Sequence, residues 1–94
     1  MMIGHMLRLW LEQYNLDVTT FASLSGYDRK VVHNWLSRRS IPNKQSIRNI
    51  VDTLAHFAHW TTNHREYVFV KLLGFRETEM SWQMRLRQID KNTI

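Results

Sequence analysis

One proline and three glycines are all that interrupt this chain of 94 residues, and their scarcity limits what it can fold into. Gly and Pro are the strongest breakers of regular structure. Between them, apolar residues recur at spacings of three and four, while alternating strand patterns are scarce. The pattern implies short helices joined tightly: an all-α fold, a compact bundle of five to six helices. So short a chain supports a single hydrophobic core, and the four Trp, four Phe and three Tyr supply the large contact areas that core needs. Cysteine is absent, so neither a disulfide framework nor a thiolate metal site is available, and packing or oligomerisation must hold the chain together. No apolar run is long enough for a membrane span or a signal peptide, which points to a cytoplasmic, nucleoid-associated protein.

The helices follow from local signals. A first helix is expected from about Ile3 to Tyr14, with Met6, Leu7, Trp10, Leu11 and Tyr14 on its buried face and Arg8 paired with Glu12 on the other. Asp17 is a good N-cap for a second helix, whose apolar contacts are Phe21, Ala22 and Leu24 and whose end is Gly26. Asp28 caps a third, from Arg29 to Ser37, with Val32, Trp35 and Leu36 inside. Pro42 closes the next loop, Asn43 caps a fourth helix, and Ile47, Ile50, Val51, Leu54 and Phe57 form its inner face. "NHRE", from Asn63 to Glu66, resembles a variant capping box, and Gly74 is placed to end a fifth helix over "HREYVFVKLL". Tyr67 to Val70 are also strong strand formers, so a strand pairing with a second subunit is the alternative. A last helix is expected from Glu77 to Asp90, with Trp82, Leu86 and Ile89 on one stripe and Met80 and Met84 on another. Residues 1–58 then form a helix-turn-helix core, and 59–94 a C-terminal extension of the same domain.

The net charge of +5 is concentrated. Residues 27–48 hold Arg29, Lys30, Arg38, Arg39, Lys44 and Arg48 against Asp28 alone, while cations and anions balance in the rest of the chain. A capped helix, a Gly-containing turn and a second capped helix make up the unit that presents its second helix to a major groove of duplex DNA. With Val32, Trp35 and Leu36 inside, Arg29, Lys30, Val31, His33 and Asn34 are free to face bases. Arg and Lys donate to guanine acceptors, Asn bonds an adenine edge, and a Val methyl meets thymine. Behind the helix, Arg38, Arg39, Ser40 and Asn43 suit phosphate contacts, with Tyr27 and Lys44 flanking them.

The segment "LDVTTFASLSGYDRKVVHNWLSRRSIPNKQSIRNIVDTL", Leu16 to Leu54, resembles the Cro and lambda-repressor-like (XRE-type) helix-turn-helix family. The likeness lies in Phe21 and Ala22, the turn at Gly26, Val32 and Trp35 in buried slots, and "RRSIP" before a capped helix. The resemblance implies base readers at Arg29, Lys30, His33 and Asn34 and a phosphate-contacting loop at Arg38, Arg39 and Asn43. Two positions depart from the family pattern. The first residue of the second helix, often polar there, is Val18, which cannot touch a phosphate. The slot before the turn glycine, usually apolar, is Ser25, with Leu24 one place earlier.

These readings converge on a sequence-specific, repressor-like transcriptional regulator of double-stranded DNA, phage or plasmid in character. It would insert Arg29–Ser37 into the major groove as a homodimer, with no cofactor and no membrane association. The aromatic surplus of the last third assigns the dimer interface to Trp60, Tyr67, Phe69, Val70, Leu73, Phe75, Trp82 and Leu86. The alternative is a protein-interaction module, such as a small antirepressor or antitoxin-like partner, and a regulatory protein partner fits either reading. His56, His59 and His64 lack a zinc signature, and no nucleophile elbow or phosphate-binding Gly loop is present, so neither metal binding nor catalysis is expected.

Overall fold

The computed structural model describes residues 2–92, which form five helices and no strand. They are α1 (Ile3–Gln13), α2 (Val18–Ser25), α3 (Arg29–Leu36), α4 (Lys44–Ala58) and α5 (Thr62–Asn92). No helix among the described residues is long and apolar enough to cross a membrane.

Short polar side chains start the middle helices as their positions require. The carboxylate of Asp17 accepts from Thr20 N at 2.7 Å, that of Asp28 from Lys30 N at 2.9 Å, and Asn43 Oδ1 from Ser46 N at 2.8 Å. The backbone hydrogen bond from Thr20 holds Asp17 below the usual carboxylate range. Gly26 ends α2 in the left-handed region at φ 80°, a conformation that carries no Cβ penalty for glycine.

The first four helices close on one core. Leu7, Leu11, Leu16, Phe21, Val32, Trp35, Ile50 and Leu54 are buried together, and the Tyr27 ring meets Trp35 edge-on at 4.9 Å. Two apolar residues lie elsewhere than expected. Leu24 is exposed because the inward stripe of α2 runs through Val18, Phe21, Ala22 and Ser25, at the three-and-four spacing that Leu24 does not share. Ser25 accommodates its half-buried place by donating its hydroxyl to Phe21 O at 2.9 Å. Phe57 is exposed at the last turn of α4, touching the Tyr14 ring edge-on at 6.4 Å. The expected Arg8–Glu12 ion pair is absent among the described residues, and both side chains face solvent.

A second cluster, Ile3, Ile47, Val51, Val68 and Leu72, fastens α5 to α1 and α4. The strand alternative for Tyr67 to Val70 is overturned, as is the break at Gly74: one helix runs from Thr62 to Asn92. An interior glycine costs a helix only about 1 kcal/mol relative to Ala, too little to stop one that is packed over its first three turns. The cap of α5 is Thr61 and not Asn63, since Thr61 Oγ1 accepts from His64 N at 3.1 Å. At the far side of the body, Ile3 N donates to the carboxylate of buried Glu79, so α5 supplies the N-terminal cap that Met2 cannot give α1. Beyond Glu79, α5 leaves the body, and the molecule extends 50 Å along its longest axis.

The position of α3 depends on Gly4. A Cβ built there would lie 2.3 Å from the backbone oxygen of Trp35, so α1 and α3 touch main chain to main chain. Gly74, by contrast, faces open space. The two glycines are therefore expected to respond oppositely to the same change. Gly74→Ala should stabilise the fold by about 0.5–1 kcal/mol through helix propensity. Gly4→Ala should destabilise it by about 1–2 kcal/mol, because overpacking of a backbone contact outweighs that gain. Urea unfolding monitored by circular dichroism measures both signs.

Candidate nucleic-acid interface

The helix α3 is two-faced. At about 100° per residue, Arg29, Lys30, His33, Asn34 and Ser37 fall within about 140° of arc, and Val31, Val32, Trp35 and Leu36 occupy the opposite side. Burial follows that division: Val32, Trp35 and Leu36 are buried, Arg29, Lys30 and His33 exposed, and Asn34 half-buried at the edge. Val31 also sits half-buried, packed against the core on the inner edge, and so lies apart from the other four expected readers. Among the described residues, no side-chain hydrogen bond or ion pair engages Arg29, Lys30, His33 or Asn34. Their donors and acceptors are therefore available to a ligand.

The loop after α3 is anchored from behind and charged in front. Pro42 is buried, Ile41 packs on the second cluster, and Arg76 of α5 donates from Nε to Pro42 O at 3.1 Å. Arg38, Arg39, Ser40, Asn43 and Lys44 remain exposed. Asn43 uses its carbonyl oxygen as the α4 cap, which leaves its amide hydrogens free to donate. Tyr27 is more committed. Its hydroxyl donates to Ser46 Oγ at 3.0 Å and accepts from Asn49 Nδ2 at 2.8 Å, so its single proton already serves the fold.

A Schellman motif ends α3: Arg38 N donates to Trp35 O at 3.2 Å and Arg39 N to Asn34 O at 2.9 Å. Glycine normally fills the left-handed position of that motif, yet here it is Arg38, at φ 64°. An L-residue in this conformation costs roughly 1–2 kcal/mol. The guanidinium of Arg38 lies at 2.9 Å from Met2 Sδ and shares a cleft of about 410 Å³ with Met2, His5, Arg8 and Leu36. Arg8 thus joins the cationic surface with His5 beside it, although in sequence they lie more than twenty residues from Arg29. The signal that could have found them is the missing partner of Arg8 once the pairing with Glu12 is set aside.

One cation leaves the group. Arg48 makes a bidentate contact with Glu66 at 2.6 and 3.2 Å, lies 3.2 Å from Asp52, and stacks over the Phe69 ring at 4.3 Å. The Glu66 hydrogen bond raises the pKa of Arg48 still further, and Arg48 in turn holds Glu66 below the usual carboxylate range. Arg48 therefore fastens α4 to α5. The five cations Arg29, Lys30, Arg38, Arg39 and Lys44 carry no ion pair among the described residues.

The expected dimer contacts divide as well. Trp60, Phe69, Leu73 and Phe75 pack on the chain's own second cluster, and the Trp60 indole donates to the Tyr14 hydroxyl at 3.0 Å. These four are intramolecular contacts. Tyr67, Val70, Trp82 and Leu86 are 55–64% exposed.

No protein-family model, curated protein or solved structure matches this chain. Its geometry is the argument for its function.

The Arg38 backbone yields a direct expectation. Arg38→Gly should relieve the left-handed conformation and stabilise the fold by about 1 kcal/mol, raising Tm by roughly 4–8 °C. A thermal scan that shows no rise, or a fall, contradicts the strain assigned to this residue.

Proposed function

We propose that the chain is a sequence-specific double-stranded DNA-binding transcriptional regulator that works as a homodimer and inserts α3 into the major groove. The observation that carries this reading is the unpaired state of Arg29, Lys30, Arg38, Arg39 and Lys44, exposed on one helix face and on the anchored loop behind it. A protein stabilised by surface ion pairs would have used these side chains, as Arg48 is used. Without acidic partners, on an anchored support, they match a polyanion whose charges repeat along a groove.

The roles divide by position. Arg29, Lys30, His33 and Asn34 occupy the outer face of α3, where Arg and Lys donors suit guanine and the Asn amide suits adenine. Arg38, Arg39, Ser40, Asn43 and Lys44 surround the helix end and the start of α4, in reach of flanking phosphates. The uncommitted amide of Asn43 suits the same task. A strained backbone at Arg38 supports a functional demand on that side chain, because glycine there would serve the fold better. Two-fold pairing doubles the contacts of a small monomer and accounts for the paired half-sites such a protein would need.

The test is binding to duplex DNA across a salt series, with single variants. The expected affinity falls steeply with salt, with a slope of about −0.9 per phosphate contact. Arg39→Ala and Arg38→Gly should weaken all sequences alike, and each should reduce the slope by about 1. Arg29→Ala and Asn34→Ala should relax choice at one base pair each, by about 1–3 kcal/mol of discrimination. Duplex binding that is absent even at low salt, alongside salt-insensitive capture of one protein, would establish the protein-interaction reading instead.

A further inference from the structure

The inward face of α5 does not stop where the body stops. Val68, Leu72, Phe75 and Glu79 face α1 and α4, at steps of four, three and four residues. The same steps continue in the sequence through Trp82, Leu86 and Ile89. Spacing of alternating threes and fours is the 3.5-residue repeat of a coiled-coil seam. Past Glu79 no other helix covers it: residues 80–88 are all exposed, Trp82 and Leu86 are each 55% exposed, and the Arg85 guanidinium lies over the Trp82 ring at 5.7 Å.

We infer that this uncovered seam is the dimer interface, occupied by the same segment of a second copy running antiparallel, with the two-fold axis near Leu86. The inference rests on the homodimer part of the reading above and assigns its surface; it needs nothing from DNA binding. Area supports a partner of this size. The chain exposes 6580 Å², whereas a folded monomer of 11.4 kDa exposes about 5,800 Å². The surplus, about 800 Å², is what one partner buries in a standard-size interface.

Orientation follows from where the body lies. The α1–α4 body covers the seam side of α5 as far as Glu79, where Ile3 N meets the Glu79 carboxylate. A parallel copy, paired on the same seam, would bring its own body into that space. An antiparallel copy sends the two bodies to opposite ends, and each seam is covered by the arm of the other. In the sequence repeat Leu86 stands between Trp82 and Ile89, so an antiparallel pairing centred on that repeat brings it opposite its own copy.

The chain has no native cysteine, which makes single-cysteine probes clean. In the full-length protein, Leu86→Cys is expected to form an intermolecular disulfide under mild oxidation, because residues at the axis approach within disulfide range. Asn63→Cys carrying a spin label, at the exposed start of α5, is expected to give a label separation of about 70 Å by pulsed dipolar spectroscopy. Leu86→Glu should raise the dimer dissociation constant at least tenfold with the helical circular dichroism signal unchanged. A separation within about 20 Å would mean a parallel pair and overturn the inference. A dimer that survives Leu86→Glu unchanged would overturn this surface and leave the homodimer reading standing. A wild-type chain that sediments as a monomer at tens of micromolar would overturn both, while the DNA titrations above still judge the interface on α3.

Discussion

Two segments of this protein meet main chain to main chain: Gly4 of α1 against the Trp35 carbonyl of α3. With no side chain between them, the first helix sets the height of the third, and the rest of the α3 geometry follows. Trp35 and Val32 are driven into the core, where Tyr27 meets the indole ring edge-on. Their burial turns the opposite side of an eight-residue helix outward. A helix this short has little stability of its own in water. Its orientation is inherited from the contacts beneath it, and a bulkier residue at position 4 would tilt every outer side chain at once.

Charge is distributed by the same packing. Arg48 is drawn between Glu66, Asp52 and the Phe69 ring, where it ties α5 to α4. Arg76 does the same for the loop by holding Pro42 O. Two cations are thus spent on construction, and both contacts lie behind the surface where Arg38, Arg39 and Lys44 stand unpaired. The arrangement stiffens the support and leaves the front free. Tyr27 belongs to the support as well, since its hydroxyl bridges Ser46 and Asn49.

What could be read from the amino-acid order was whatever a few neighbouring residues decide. Asp17, Asp28 and Asn43 cap the helices that follow them, and Gly26 takes the turn conformation that suits it, because each acts within one helical turn. The burial of Val32 and Trp35 follows from spacing alone. Features set by distant partners were not legible. Arg48 and Glu66 are eighteen residues apart, and nothing local distinguishes Arg48 from Lys44 as a paired cation. Gly4 carries no mark of the carbonyl it faces. Leu24 and Ser25 are adjacent, and only the phase of α2 decides that the polar one turns inward. At Gly74 the local cue pointed the wrong way, because packing of Val68 and Leu72 sustains the helix against one unfavourable residue. Of the expected readers, Arg29, Lys30, His33 and Asn34 share one open face, whereas Val31 turns toward the core.

The central claim is that α3 and the loop behind it form one surface built for duplex DNA. The most direct measurement is a titration of isotopically labelled protein with a short duplex, following backbone amide resonances residue by residue. The expected result is a continuous set of perturbed amides from Asp28 to Asn34 and from Ser37 to Lys44, with those of His64 to Leu72 unmoved. Perturbations centred on α5, or none at any DNA concentration in low salt, would contradict the account.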